Sequence, residues 1–201
     1  MHLIKEFFPY LTKNQIEKFS LMKEIYNFWN NKINIISKKS LNNFYIIHVL
    51  HSLSIAKIIT FVPKTIIMDL GTGGGFPGIP LSIFFEKSYF FLIDSIKKKI
   101  SIVKEIINEL NLKNVYAYSI RAENIEYKFD FIINRFVMKM PLLVKLVKNK
   151  FILKSKNVFK NGIFSFKGGN LKNELKNFNK KNIKVFYIYD LFPINFFLKK
   201  K

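Results

Sequence analysis

Apolar and polar positions recur along this chain with two different periods, and the period changes near residue 65. Before it, Ile16, Phe19, Met22, Tyr26 and Trp29 succeed one another at helical spacing. Thr12-Lys13-Asn14-Gln15 ahead of them has the form of a capping box, which starts a helix by satisfying two of its free N–H groups. A second helix is predicted over 43–60. Helices this short rarely stand alone, so residues 1–62 are expected to form an N-terminal helical extension packed against the remainder of the chain. On this pattern Trp29 is expected in the core.

After residue 65, short apolar runs alternate with amphipathic ones. Strands are predicted over 66–70, 89–93, 115–118, 129–133, 162–166 and 184–189, with a last one over 194–198. Helices are predicted over 77–85, 97–110, 141–147 and 171–178. In the 97–110 helix, Ile100, Val103, Ile106, Ile107 and Leu110 fall on one face. Alternation of this kind predicts an α/β fold, a doubly wound and mostly parallel sheet occupying residues 63–201 as one compact unit. Ligands on such sheets sit outside the carboxyl ends of the strands.

Composition sharpens this at a few points. A chain of 201 residues, 49% hydrophobic, can bury a real core. It has no cysteine, which excludes a disulfide scaffold, a Cys-ligated zinc and a cysteine nucleophile. The longest apolar stretch, 45–62, is broken by His48, His51 and Lys57, and the start lacks the basic-then-apolar layout of a leader. A soluble, cytoplasmic monomer is expected, with no membrane segment. The net charge of +21 favours polyanionic partners. All but Arg121 and Arg135 of the basic residues are lysines, however, and Lys, Asn, Ile and Phe share A/T-rich codons, so part of the excess reflects codon composition. Residues 139–201 carry a net +14 and residues 1–138 a net +7, which makes the C-terminal third the electropositive part.

The strongest chemical signal is the run Met68-Asp69-Leu70-Gly71-Thr72-Gly73-Gly74-Gly75-Phe76-Pro77-Gly78. Glycines after a buried strand let the backbone bend sharply and come close to a ligand. A P-loop would end in Gly-Lys-Ser/Thr, which is absent, and a dinucleotide fingerprint would need glycine where Phe76 stands. A G-x-G-x-G loop remains, the pattern of S-adenosylmethionine methyltransferases. Asp94 lies 23 residues after Gly71, at the end of the next predicted strand, where a carboxylate accepts the ribose hydroxyls of an adenosine. Arg121-Ala122-Glu123 comes after the third strand, where the adenine would lie.

Absences narrow the methyl acceptor. Methylation of a pyrimidine carbon usually needs a cysteine. Methylation of an exocyclic amine usually needs an Asn/Asp-Pro-Pro-aromatic run, and that place reads Asn134-Arg135-Phe136-Val137. A ring nitrogen with its own lone pair, such as guanine N7, requires neither. Arg135 then has a binding role and not that of a base. His48 and His51 stand three apart but have no further ligands at supporting spacing, so no metal is expected.

The run from Asp69 through Gly78-Ile79-Pro80-Leu81 resembles the signature of the RsmG family of 16S rRNA methyltransferases, also called glucose-inhibited division protein B. The resemblance continues at Trp29-Asn30 with Asn34, His48 with Ser52, Leu92-Ile93-Asp94-Ser95, Asn134-Arg135 and Phe166-Lys167-Gly168. It implies a class I S-adenosylmethionine methyltransferase sheet with an N-terminal helical extension. The implied reaction is methyl transfer to N7 of a guanine in the decoding-region loop of 16S rRNA, free or in the small ribosomal subunit particle. By that likeness Gly71, Phe76, Ala122, Glu123 and Arg135 contact the cofactor, with Gly73, Gly75 and Asp94 lining its pocket. Where the family usually has arginine and aspartate around the histidine, this chain has Ile47 and His51. Arg135 and Lys167 are the candidates for positioning the reactants. Lys97, Lys98, Lys99 and His48 are the candidates for RNA contact, together with the basic C-terminal third. A non-catalytic assembly factor that keeps the fold and a small-molecule methyltransferase remain open alternatives.

Overall fold

The computed structural model describes residues 1–198; the basic tail of Lys199, Lys200 and Lys201 lies outside the described residues. Five strands form one parallel sheet: β1 (Ile66–Leu70), β2 (Tyr89–Asp94), β3 (Val115–Ser119), β4 (Phe131–Arg135) and β5 (Gly162–Phe166), in the order β3-β2-β1-β4-β5. The chain winds outward from β1 to β3, then returns to lay β4 on the other side of β1. The switch point between β1 and β4 is where a doubly wound sheet opens a crevice.

Helices cover the sheet. They are α1 (His2–Phe7), α2 (Lys13–Lys32), α3 (Lys38–Leu41), α4 (His51–Ile58), α5 (Gly78–Phe84), α6 (Lys97–Glu109), α7 (Met140–Val147), α8 (Lys172–Leu175) and α9 (Ile188–Leu191). The capping box forms as expected: Gln15 N–H donates to Thr12 Oγ1 at 3.2 Å and Thr12 N–H to Gln15 Oε1 at 3.0 Å. A cap of this kind is worth about 1 kcal/mol. The Gln15 amide also donates to the carbonyls of Ile83 and Phe84, which ties α2 to the end of α5. Ile100, Val103, Ile106, Ile107 and Leu110 are all buried, as their spacing predicts. One core joins the N-terminal helices to the sheet: Phe8, Phe19 and Met22 share it with Ile83, Phe90 and Ile106. Fully burying such side chains contributes about 1.5–3 kcal/mol each. Trp29 is only partly buried, and its Nε1–H donates to Glu109 at 2.7 Å.

The structure corrects the sequence in three places. Residues 184–189 and 194–198 add no strands; they give α9 and a short 3₁₀ turn, Asn195–Phe197. The reason is Phe192, which is fully buried against the rings of Phe7 and Phe8 at 5.0 and 5.9 Å. It draws the tail onto the N-terminal helices, and Pro193 beside it has no N–H to give a ladder. The predicted helix over 171–178 shrinks to α8. The predicted helix over 43–60 opens as a π-helical segment, Tyr45–Leu50, before α4. Segments of this kind are rare and concentrate at functional sites.

Candidate functional site

The glycine loop leaves β1 at the switch point. Gly71, Gly73 and Gly75 take φ values of +68°, +57° and +91°, a region side-chain-bearing residues rarely adopt. At Gly73 no atom lies within 4 Å of where a Cβ would stand, so the backbone there faces open space. At Gly78 the opposite holds: a Cβ would meet Asp69 Oδ2 at 2.8 Å and Leu92 Cδ1 at 2.9 Å.

Two carboxylates shape the loop. Asp69 is fully buried, and its Oδ2 accepts from Thr72 Oγ1 at 2.6 Å and from Gly78 N–H at 2.8 Å. Its Oδ1 has no hydrogen-bond partner among the described residues. Burial pushes the carboxyl up to about 7, against the pull of those two hydrogen bonds and of Arg135. Asp94, at the end of β2, accepts from Gly73 N–H through Oδ2 at 2.9 Å and from Ile96 N–H through Oδ1 at 2.9 Å. Each carboxylate oxygen keeps a second lone pair for a ligand.

Opposite the loop, the end of β4 presents Arg135. One guanidinium nitrogen donates to the Ile47 carbonyl at 3.2 Å and the other to His48 Nδ1 at 3.2 Å. The guanidinium carbon lies 5.2 Å from the centre of the Phe76 ring. Arginine can only donate, so His48 Nδ1 is an acceptor and the ring proton sits on Nε2. Nε2–H donates to Ser40 Oγ at 2.8 Å, and Ser40 Oγ donates to the Ser37 carbonyl at 2.7 Å. The π-helical segment makes this arrangement available, because it turns the Ile47 carbonyl and the His48 ring toward the same guanidinium.

A cavity of about 410 Å³ lies between loop and arginine. Gly71, Thr72, Gly73, Gly74 and Phe76 line it from one side, and Ile47, His48, His51, Arg135 and Phe136 from the other. Ile35, Ile36, Ser37 and Ser40 close the end. Asn30 Oδ1 fixes that end by accepting from the Ile35 and Ile36 N–H groups at 2.9 and 3.0 Å.

The sequence candidates therefore separate. Gly71, Gly73, Phe76 and Arg135 meet at the cavity, and Asp94 joins it through Gly73. Gly75 lies behind the loop, against Ile79 and Tyr26. Ala122 and Glu123 form a 3₁₀ turn just past β3, whose Ser119 pairs with Asp94. Lys97, Lys98 and Lys99 open α6 beside Asp94, without an acid in the first turn. His48 is buried with both ring nitrogens engaged, Nδ1 by Arg135 and Nε2 by Ser40, and lies at the cavity wall and not among exposed surface cations. Lys167 bonds Glu174 at 2.6 Å and the Met138 carbonyl, and it does not line the cavity. That ion pair holds the Glu174 carboxyl below its usual range. Thr72 reaches the cavity as part of the glycine run, while His51, Ser40 and Phe136 line it without having been singled out by the sequence as cavity residues; of these three only His51, through its spacing from His48, carries a signal.

His48 and His51 are both neutral: burial first, and then the charge of Arg135, pulls each down to about 3. Measured against an unfolded value of 6.5, stability present above about pH 6.5 is lost as the pH falls toward 3. Asp69 works in the opposite sense. Its folded value is raised above 3.8, so its contribution is lost as the pH rises from about 4 to about 7. His51→Phe removes one proton site and leaves the Arg135 contacts in place. Its melting temperature relative to the unaltered protein should rise from about pH 8 to about pH 5. A difference that does not change with pH would contradict the assignment.

A family profile described as GidB, rRNA small subunit methyltransferase G, matches residues 15–192. The ribosomal RNA small subunit methyltransferase G of Flavobacterium psychrophilum is 48% identical over 201 residues, covering all of this chain and 95% of that protein. The proteins of the same name from Christiangramia forsetii and Bacteroides thetaiotaomicron are 45% and 44% identical, again over all of this chain, and 94% and 97% of their own lengths are covered. Among solved structures, coclaurine N-methyltransferase bound to N-methylheliamine and SAH aligns with a TM-score of 0.48 at 13% identity, over 52% of this chain and 33% of that one.

Proposed function

The chain belongs to the rRNA small subunit methyltransferase G family, and we propose that its cavity binds S-adenosylmethionine and serves methylation of guanine N7 in 16S rRNA. One observation carries this reading: the glycine loop, Asp94 and Arg135 converge at a single switch point of the sheet. The residues present fit the cofactor. The cavity has the volume of a small-molecule site. Gly73 leaves open space where a ligand can approach the backbone, and Asp94 keeps lone pairs for two ribose hydroxyls.

In this reading Gly71, Gly73, Gly75 and Phe76 shape the donor site, Asp94 holds the ribose, and Ala122 with Glu123 flanks the adenine. Arg135 has two N–H bonds engaged within the protein, and its remaining donors suit the carboxylate of the methionine moiety. The cofactor supplies an electrophilic methyl group on a sulfonium. The protein has no proton to remove, because the ring nitrogen attacks through its own lone pair. The contribution of the chain is positioning, and the two cavity histidines, held far below their ordinary range by burial and Arg135, are weak bases. Calorimetry with S-adenosylhomocysteine should show one site per chain. Tight NAD binding with no response to the adenosyl ligand would contradict the proposal.

The RNA side rests on charge. Lys97, Lys98 and Lys99 stand on the carboxyl rim of the sheet beside Asp94, and the lysine-rich C-terminal third adds to the same electropositive character. They are read as phosphate contacts for 16S rRNA, naked or in the cytoplasmic small-subunit particle, made by a monomer of this chain. No helix of the described residues is long and apolar enough to cross a membrane. Each phosphate contact adds about 0.7 to the slope of log affinity against log salt for single strands. Replacing the three lysines together by Gln should flatten that slope and raise the KM for RNA, with cofactor affinity unchanged. An unchanged slope would make them a solvated helix end.

A further inference from the structure

We propose that Phe136 is the platform on which the target guanine stacks during methyl transfer; this rests on the rRNA methylation reading above. Phe136 directly succeeds Arg135 and lines the same cavity. Its backbone is fixed, because its N–H continues the sheet ladder to the Phe166 carbonyl at 3.2 Å. Its φ is +55°, in the left-handed region, and its side chain is nevertheless 60% exposed. A bulky residue in that conformation is an outlier that costs on the order of 1–2 kcal/mol.

Neither packing nor the turn explains the ring. The turn brings Val137 against Gly71, and glycine or asparagine would make the same turn at lower cost. Burial is not the reason either: the residue is mostly in solvent, its one aromatic neighbour among the described residues is His51 at 6.1 Å, and only the edge of the ring lies over Gly168. The strain therefore holds an aromatic face at the mouth of the donor cavity. Strained residues that packing does not require cluster at functional sites.

The chemistry suits such a face. In the transfer, the N7 lone pair forms the new N–CH₃ bond while the S–CH₃ bond breaks and its electron pair returns to sulfur. No proton moves, and the positive charge passes from sulfur to the purine. A phenyl face attracts a cation through its quadrupole, and it stacks on any base turned out of its helix. A second observation points the same way. His51, which also lines the cavity, has a buried Nδ1 with no hydrogen-bond partner among the described residues. A neutral imidazole nitrogen there can accept from an N–H on the edge of the stacked guanine.

The test uses the full chain and small-subunit particles lacking the methyl mark. Four quantities are read: tritiated methyl transfer, particle binding in the presence of S-adenosylhomocysteine, affinity for that ligand, and melting temperature. Phe136→Leu should lower kcat/KM on particles by about 5- to 100-fold and weaken particle binding, as loss of one stacked base does, while ligand affinity stays unchanged. Phe136→Trp, which keeps a stacking face, should retain more activity and particle binding than the leucine variant. Phe136→Gly should lose activity as the leucine variant does but keep or raise the melting temperature, because it relieves the backbone, whereas a merely structural phenyl ring would lower it on removal. Full activity in Phe136→Leu, or a loss of ligand affinity in it, would overturn the proposal. If the unaltered protein transfers no label to rRNA, the underlying reading fails instead.

Discussion

Arg135→Ala should reduce methyl transfer by about 10- to 100-fold or more, with KM for the donor and kcat both affected. The guanidinium makes two hydrogen bonds inside the protein, to Ile47 and His48, and hydrogen bonds to charged groups are worth about 1.5–3 kcal/mol. Its removal leaves His48 Nδ1 without a donor and lets the π-helical segment move relative to the glycine loop. It also takes away the positive charge that lowers the Asp69 carboxyl, so that group should titrate higher still. Arg135→Lys should recover little. An ammonium has no planar fork with which to reach the Ile47 carbonyl and His48 Nδ1 together. Single-turnover kinetics on both variants check this, and a lysine variant with unaltered rate would show that only charge is needed.

Asp94→Ala should weaken S-adenosylhomocysteine by about 1–3 kcal/mol, or about 5- to 150-fold. Two effects combine. The carboxylate is the ribose acceptor in the proposed complex, and in the structure it already holds the Gly73 and Ile96 N–H groups. The variant therefore loses a ligand contact and releases the loop that shapes the pocket. Asp94→Asn keeps an acceptor for only one of those N–H groups and should fall between. Calorimetry separates the outcomes: unaltered affinity in Asp94→Ala would remove Asp94 from the donor site and leave it only as an anchor of the loop.

The parts of this molecule that repeat a period were legible in the sequence. The five paired strands, the buried face of α6 and the capping box at Thr12 come from apolar spacing and local hydrogen-bonding chemistry. The glycine loop and Asp94 come from the spacing of special residues around a strand end. What escaped depends on contacts between distant segments. No apolar period marks the π-helical segment, yet it is what brings the Ile47 carbonyl and His48 to Arg135. The tail reads as strand by composition, but Phe192 finds Phe7 and Phe8 first. Lys167 stands where a strand-end lysine could reach the site, and Glu174 takes it instead. The left-handed backbone at Phe136 is a property of the turn after β4, which no residue type there announces.

The cavity between the glycine loop and Arg135 is proposed above as the donor site of an rRNA methyltransferase. That assignment is tested most directly by incubating the protein with S-adenosylmethionine carrying a tritiated methyl group. The acceptors are small-subunit particles, naked 16S rRNA and a metabolite mixture, each in parallel with Asp94→Ala. Label is expected in rRNA, at N7 of a guanine, from particles or naked RNA, and is expected to be lost in the variant. Label found only in metabolites, or RNA bound by the unaltered protein without any label, would contradict it.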